Sequence, residues 1–319
     1  MIKAEHITKM FGKFAAVSDL SFTVKDGEIV GFLGPNGAGK STTMNILTGY
    51  MSSTSGEVEI DGHNILTDTI AAKQSIGYLP EIPPLYGEMT VDEYLNFVYD
   101  LKGCTLNRKK HIDDVCNVTR IDMVRKRVID NLSKGYQQRI GIAQAIIGNP
   151  KTIILDEPTI GLDPREIVEI RNLIRILGRD HSVILSTHIL SEVQAVADRI
   201  IIINKGRIVT DDKTENITRK VNGASRIKAV ICGPITSVIS SLKTISGIRK
   251  VDTMAARELD ANSYIIDSEE NTDIRRDLFE ICRQNNWPIL SLEIMSMDLE
   301  NIFLAVTSND KKSAKILRK

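Results

Sequence analysis

Gly34-Pro35-Asn36-Gly37-Ala38-Gly39-Lys40-Ser41 decides how this chain is read. The stretch fits G-x-x-x-x-G-K-[ST], follows the apolar run Ile29 to Leu33, and precedes a helical pattern through Met44, Ile46 and Leu47. Strand, glycine-rich loop and helix in that order make a phosphate-binding loop. The glycines let successive backbone N–H groups turn toward phosphate oxygens, and the helix presents its positive end to them. In this chemistry Lys40 contacts the β- and γ-phosphates of a nucleotide and the Ser41 hydroxyl binds Mg²⁺, with Thr42 completing the cradle. A glycine-rich turn without a ligand is the alternative, and the flanking strand and helix speak against it.

Working outward, Thr152 to Leu155 reads as a buried strand ending in two carboxylates, Asp156 and Glu157. Asp156 is placed to hold Mg²⁺ through water, while Glu157 can polarise the water that attacks a γ-phosphate. An acidic pair at a strand end could also cap the next helix; the phosphate loop decides for the chemical role. His188 follows the run Ser182 to Ser186 and could equally be a polar residue that starts a helix.

The flanks fill in an α/β architecture. Ser21 to Val24, Asp26-Gly27 and Glu28 to Leu33 read as a hairpin closed by a positive-φ turn, and Asp61-Gly62 after Gly56 to Ile60 reads as a second such turn. From about 90 to 145 the pattern is helical. It opens on a Thr90/Glu93 capping box with Val91, Tyr94, Leu95, Val98 and Leu101 on one face. Strands at 152–155 and 182–186, separated by a helix that starts at Asp163-Pro164 and turns Ile167, Ile170, Ile174 and Leu177 inward, imply a parallel sheet. The polar stretch 214–223 suggests a boundary near 215. Beyond it, strands at 226–232, 248–253, 264–267 and 289–294 alternate with helices around 237–242 and 274–283. This β-α-β-β-α-β order implies a small ferredoxin-like α+β domain, closed by a helix from Met297 to Leu304. The expected organisation is thus a nucleotide-binding domain over 1–215, an accessory domain over 216–307 and a basic tail over 308–319.

Composition sets the outer limits. The 319 residues suffice for about two domains, and 42% hydrophobic with 26% charged residues is globular composition. Lys+Arg 41 against Asp+Glu 41 leaves a net charge of +0, which disfavours a general nucleic-acid coat protein. No apolar run approaches the roughly 20 residues that span a bilayer, and the amino terminus does not read as a secretory signal; a cytoplasmic location is expected. The four cysteines, Cys104, Cys116, Cys232 and Cys282, are scattered, without zinc or redox spacing. The tail lysines and arginines, Lys311 to Lys319, read as a solvated end or as a contact with an anionic leaflet.

Leu132-Ser133-Lys134-Gly135-Tyr136-Gln137-Gln138-Arg139 resembles the L-S-G-G-Q signature of ABC-type ATPases. In that family's order stand the phosphate loop, Tyr78-Leu79-Pro80-Glu81 in the place of the glutamine loop, the signature, Leu155-Asp156-Glu157, Gly161-Leu162-Asp163 and His188. The resemblance covers residues 1 to about 215. It implies a head-to-tail dimer in which Ser133, Lys134, Gly135 and Tyr136 close over the ATP held by the other subunit. One phosphate loop per chain agrees, because the signature helix start is a second anion-binding terminus that needs a second cradle. The resemblance also implies that Phe11 stacks on adenine, although an aromatic near a strand end could be a core residue. Asp163 would lie at the dimer seam, and His188 would contact the γ-phosphate and its water.

Two positions depart from the common pattern, Glu81 for Gln and Tyr136 for Gln. A carboxylate at 81 remains a hard oxygen ligand for Mg²⁺ but adds negative charge near the phosphates. Both departures, and the ending Met297 to Leu304, resemble the branch that serves separate small export permeases of drug-efflux, sodium-efflux and gliding-motility type. There, a region matching Ile82 to Met89 meets the membrane subunit; as residues alone the segment could also be a Pro-rich connector. The expectation is an ATP- and Mg²⁺-using exporter subunit at the cytoplasmic face of the membrane, paired with a permease and a second ATPase subunit. The alternatives are a soluble ABC ATPase acting on ribosomes or DNA, and a module that holds ATP without hydrolysing it.

Overall fold

The computed structural model describes residues 1–216, 224–255, 260–270 and 272–295. The chain separates into two compact units, Met1–Thr214 and Glu215–Lys319.

The first unit begins with two long antiparallel strands, β1 (Ile2–Phe11) and β2 (Phe14–Val24), joined through Gly12-Lys13. Strand β2 then gives way to β3 (Ile29–Leu33), and here the expected hairpin fails. Gly27 has the positive φ of 70°, but β2 pairs with β1 while β3 pairs in parallel with strands far along the chain. The burial pattern carries the reason. Leu20, Phe22 and Val24 alternate with exposed Ser21 and Thr23, whereas all five residues of β3 are buried. A strand covered on both faces belongs in the middle of a parallel sheet, not at the second arm of a hairpin. After helix α1 (Lys40–Leu47), strands β4 (Ser55–Ile60) and β5 (His63–Asn64) do form the expected hairpin, with φ of 56° and 85° at Asp61 and Gly62. The antiparallel sheet runs β2-β1-β4-β5.

Helix α2 (Thr69–Gln74) leads to β6 (Ile76–Leu79), and the helical segment follows as α3 (Val91–Leu101), α4 (Arg108–Thr119) and α5 (Lys134–Ile146). The α3 capping box is formed: Glu93 N–H donates to Thr90 Oγ1 at 3.3 Å and Thr90 N–H to Glu93 Oε2 at 2.8 Å. Val91, Tyr94, Leu95 and Val98 are buried as expected, but Leu101 is 73% exposed. It sits on the rim of the apolar stripe at the last residue of the helix. The neighbouring Lys102 turns inward instead, its amine donating to the carbonyls of Gln144, Ala145 and Ile147 at 2.8–3.0 Å. A cation there complements the carboxyl end of α5, although burial pushes the Lys102 pKa down to about 8.

The remaining elements are β7 (Thr152–Asp156), α6 (Pro164–Leu177), β8 (Ser182–Thr187), α7 (Leu190–Val196), β9 (Arg199–Asn204) and β10 (Arg207–Lys213). On α6, Ile170, Leu173, Ile174 and Leu177 are buried and Ile167 is half-buried. The second sheet runs β10-β9-β3-β8-β7-β6, parallel from β9 to β6 with β10 antiparallel at the edge. Leu20 and Phe22 of the first sheet, Phe32 and Ile201 of the second, and Met44 and Leu47 of α1 share one core. An eight-residue helix is too short to persist alone, so α1 is held by burial of its apolar face, at about 2 kcal/mol for each large side chain.

The second unit contains β11 (Ala224–Cys232), α8 (Ile235–Leu242), β12 (Ile248–Ala255), β13 (Ala261–Glu270), α9 (Arg275–Gln284) and β14 (Ile289–Met295). Its antiparallel sheet runs β12-β13-β11-β14, the ferredoxin-like order. Val238 and Leu242 of α8 and Leu278 and Cys282 of α9 pack with Ile227, Ile231, Tyr264 and Ile266 of the sheet. The helix expected over 297–304 and the basic tail lie outside the described residues.

Candidate functional site

Four neighbouring parallel strands, β3, β8, β7 and β6, end at one edge of the sheet, and the segments that leave their carboxyl ends build the site. From β3 comes the phosphate loop. Gly39 is the N-cap of α1 with φ 105°, and a Cβ there would stand 2.6 Å from the Ala16 carbonyl oxygen. Only glycine fits both demands. Lys40 is 6% exposed; its Nζ donates to Gly34 O at 2.8 Å and Pro35 O at 3.4 Å. Ala38 is buried, and its N–H closes the loop onto Pro35 O at 3.1 Å.

From β7 come the two carboxylates. Glu157 has a positive φ of 49°, uncommon outside glycine, and its N–H is tied to Ser186 O at 2.8 Å. That backbone turn separates it from Asp156. Glu157 Oε1 lies 3.4 Å from Lys40 Nζ, and both of its oxygens meet Nδ1 of His188, at 3.0 and 2.9 Å. Asp156 is 2% exposed, and burial pushes its carboxyl pKa up, against the pull of the Lys40 ammonium. Among the described residues, Asp156 Oδ1 and Ser186 Oγ are buried without a hydrogen-bond partner. Orphaned hard oxygens beside the phosphate loop fit a hydrated divalent cation such as Mg²⁺, which takes few protein ligands and keeps its waters and phosphate oxygens. No three His, Cys, Asp or Glu side chains among the described residues are arranged to hold a metal by themselves.

A cavity of about 490 Å³ joins these groups. Asn36, Gly37, Lys40, Ser41 and Thr42 line one side, Glu157, His188 and Glu81 another. Phe11 and Phe14, at opposite ends of the Gly12-Lys13 turn and 49% and 65% exposed, wall the far end. Apolar walls with converging charges suit a nucleotide. Phe14, Ala16 and Ile160 escaped the sequence reading; Phe14 could have been found from its pairing with Phe11 across a two-residue turn.

The signature residues do not line this cavity. Ser133 caps α5, accepting from Tyr136 N–H at 3.4 Å, and a Cβ on Gly135 would meet the Glu166 carboxylate at 2.0 Å. Lys134 lines a separate cavity of about 320 Å³ that Glu81 and Ile160 share with the first. Asp163 caps α6, accepting from the N–H groups of Arg165 and Glu166 at 2.8 and 2.9 Å. No helix among the described residues is long and apolar enough to cross a membrane.

Comparison with known proteins agrees with this geometry. A family model described as ABC transporter matches residues 17–160. The bacitracin transport ATP-binding protein BcrA of Bacillus licheniformis is 36% identical over 222 residues, 69% of this chain and 72% of that protein. The linearmycin resistance ATP-binding protein LnrL of Bacillus subtilis is 31% identical over 309 residues, 96% of this chain and 98% of that one. Among solved structures, an ATP-binding subunit of an ABC transporter aligns with a TM-score of 0.63 at 27% identity, covering 69% of this chain and 92% of its own. A dimeric post-hydrolysis ATP-binding cassette bound to ADP and Pi aligns with a TM-score of 0.61 at 27% identity, covering 67% and 99%.

Proposed function

We propose, from the premise that the chain belongs to the ABC transporter family as an ATP-binding, ATP-hydrolysing subunit, that it drives an exporter through a separate membrane permease. The observation that carries the chemical reading is Glu157, held between Lys40 and His188 on the wall of the phosphate-loop cavity. The loop amides from Gly34 to Gly39 and the Lys40 ammonium hold the ATP phosphates, and Phe11 with Phe14 holds the base. Ser41 and Asp156, with Glu81 at the cavity wall, would hold Mg²⁺, which supplies charge neutralisation on the phosphates when bound. Glu157 takes a proton from the attacking water. His188, whose Nδ1 faces both Glu157 oxygens, fixes that carboxylate and reaches the γ-phosphate side.

Completion of the site requires a second copy or a close relative. The signature residues Ser133, Lys134, Gly135 and Tyr136 sit away from their own cavity and serve the ATP of the partner, with Asp163 at the seam. Binding of two nucleotides closes the dimer, and hydrolysis releases it. The permease meets the segment Ile82 to Met89. Tyr86, 55% exposed, stands edge-on to half-exposed Phe97 at 5.3 Å, giving an aromatic surface for a short helix. Export agrees with relatives named for bacitracin transport and linearmycin resistance, and an ATP-using subunit of an exporter works at the cytoplasmic face of the membrane. The unit after Thr214 is an accessory domain.

The decisive experiment is Glu157→Gln. Turnover falls by about 10²- to 10⁴-fold, the contribution of a positioned general base, while Mg-ATP binding persists and the protein accumulates as a nucleotide-bound dimer. Steady-state hydrolysis at the unmodified rate removes Glu157 from the reaction.

A further inference from the structure

Behind the reacting carboxylate lies a second one that the mechanism above does not use. Glu192, in the first turn of α7, is 1% exposed. A carboxylate removed from water must have its oxygens satisfied, and here hydroxyls satisfy them. Thr159 Oγ1 donates to Glu192 Oε1 at 2.5 Å, and Thr187 Oγ1 donates to Glu192 Oε2 at 2.9 Å. Both threonines are themselves buried. They flank the reacting group: Thr159 lies two residues after Glu157 in the segment leaving β7, and Thr187 ends β8 immediately before His188.

Thr187 is the hinge of the arrangement. Its hydroxyl accepts the Ile189 N–H at 3.1 Å and stands 3.3 Å from Glu157 Oε2 as well as 2.9 Å from Glu192. A hydroxyl has one proton. With two carboxylates in reach it goes to the nearer, so the side of Thr187 that faces Glu157 is a lone pair. Glu157 then keeps the hydrogen bonds from His188 Nδ1 and receives no hydroxyl proton from behind. If Glu192 became an amide, its NH₂ could donate to the Thr187 oxygen. The charge-assisted tie between α7 and the end of β8 that carries His188 would then be lost, as it would be if Thr187 lost its hydroxyl.

We infer that Glu192 is a positioning residue for ATP hydrolysis: by accepting the Thr187 and Thr159 hydroxyl protons it anchors the two segments that carry His188 and Glu157 and keeps that pair aimed. This inference rests on Glu157 being the general base.

The test uses the full chain with Mg-ATP, measuring single-turnover hydrolysis beside equilibrium ATP binding. Glu192→Gln and Thr187→Val each slow hydrolysis by about tenfold or more, with ATP affinity within about twofold, as expected for loss of one hydrogen bond felt only in the reaction. Thr187→Ser, which keeps the hydroxyl, restores the rate lost in Thr187→Val. The double variant is no slower than either single one, because both act through one proton. A folded Glu192→Gln protein that hydrolyses ATP at the unmodified rate overturns the proposal, as do losses that multiply in the double variant. Should Glu192→Gln not fold, the Thr187 pair decides: normal hydrolysis by Thr187→Val, or equal impairment of the Ser and Val forms, overturns it. Glu157→Gln separates the two levels. If that variant is inactive while Glu192→Gln is fast, only the positioning role falls; if it is active, the base assignment falls with it.

Discussion

The two units of the chain bury different things. Met1–Thr214 encloses Lys40, Arg139, Asp156, Glu157 and Glu192 among its apolar side chains. In the second unit, the buried polar residues among those described are Ser263 and Ser268, and the buried core is aliphatic apart from Tyr264 and Cys282. Taking a charge out of water is expensive unless partners receive it, so a fold that does so five times in one region has a use for the charges. The first unit is organised around chemistry, the second around packing. Thermodynamic stability and catalytic competence are therefore expected to be separable along the chain.

The sharpest challenge to that contrast is Leu278→Ala in the second unit. Leu278 is fully buried, and its truncation costs about 2–5 kcal/mol of that unit's stability. Calorimetry should resolve the shift, while Mg-ATP binding by the first unit stays intact. An equal loss of ATP affinity would show the two units to be energetically one. Lys40→Ala asks the converse. Loss of one charge-assisted phosphate contact weakens ATP binding by about 10- to 100-fold in equilibrium titration. Unchanged affinity would detach the loop lysine from the nucleotide. The smallest effect is expected at Glu81→Gln. The residue is exposed, so removing its charge near the phosphates is screened and changes steady-state turnover by about two- to threefold upward. Equal rates in both forms would discard any tuning by Glu81.

Local signals explain what could be read in advance. The glycine-rich loop before α1, the Thr90/Glu93 capping box and the Asp61-Gly62 turn are each specified within a few consecutive residues, and each forms. Asp26-Gly27 is just as local a signal, and its Gly27 takes the expected φ. What the turn joins is a matter of pairing, and β3 finds its partners about 150 and 170 residues further on. Leu101 fails for a related reason: helical periodicity gives a face but not where the neighbouring surface stops. At the site, Glu157 and His188 were legible as types at strand ends, but their mutual distance was not. Thr187, Thr159 and Glu192 were invisible, since a threonine before a histidine and an acid in a short helix carry no spacing of their own.

The sequence by itself determined the glycine-rich loop before α1, the capped helices and the alternation of strands and helices in both units, because hydrogen bonding and hydrophobic period act between near neighbours. The tertiary structure decided which strands share a sheet and hence which strand ends share an edge. By setting β3, β8, β7 and β6 side by side, it brought Lys40, His188, Glu157 and Glu81 around one cavity and put Glu192 behind them. The physical reason is that parallel pairing is driven by burial of strands from distant parts of the chain, and no short stretch of residues encodes the partner it will meet.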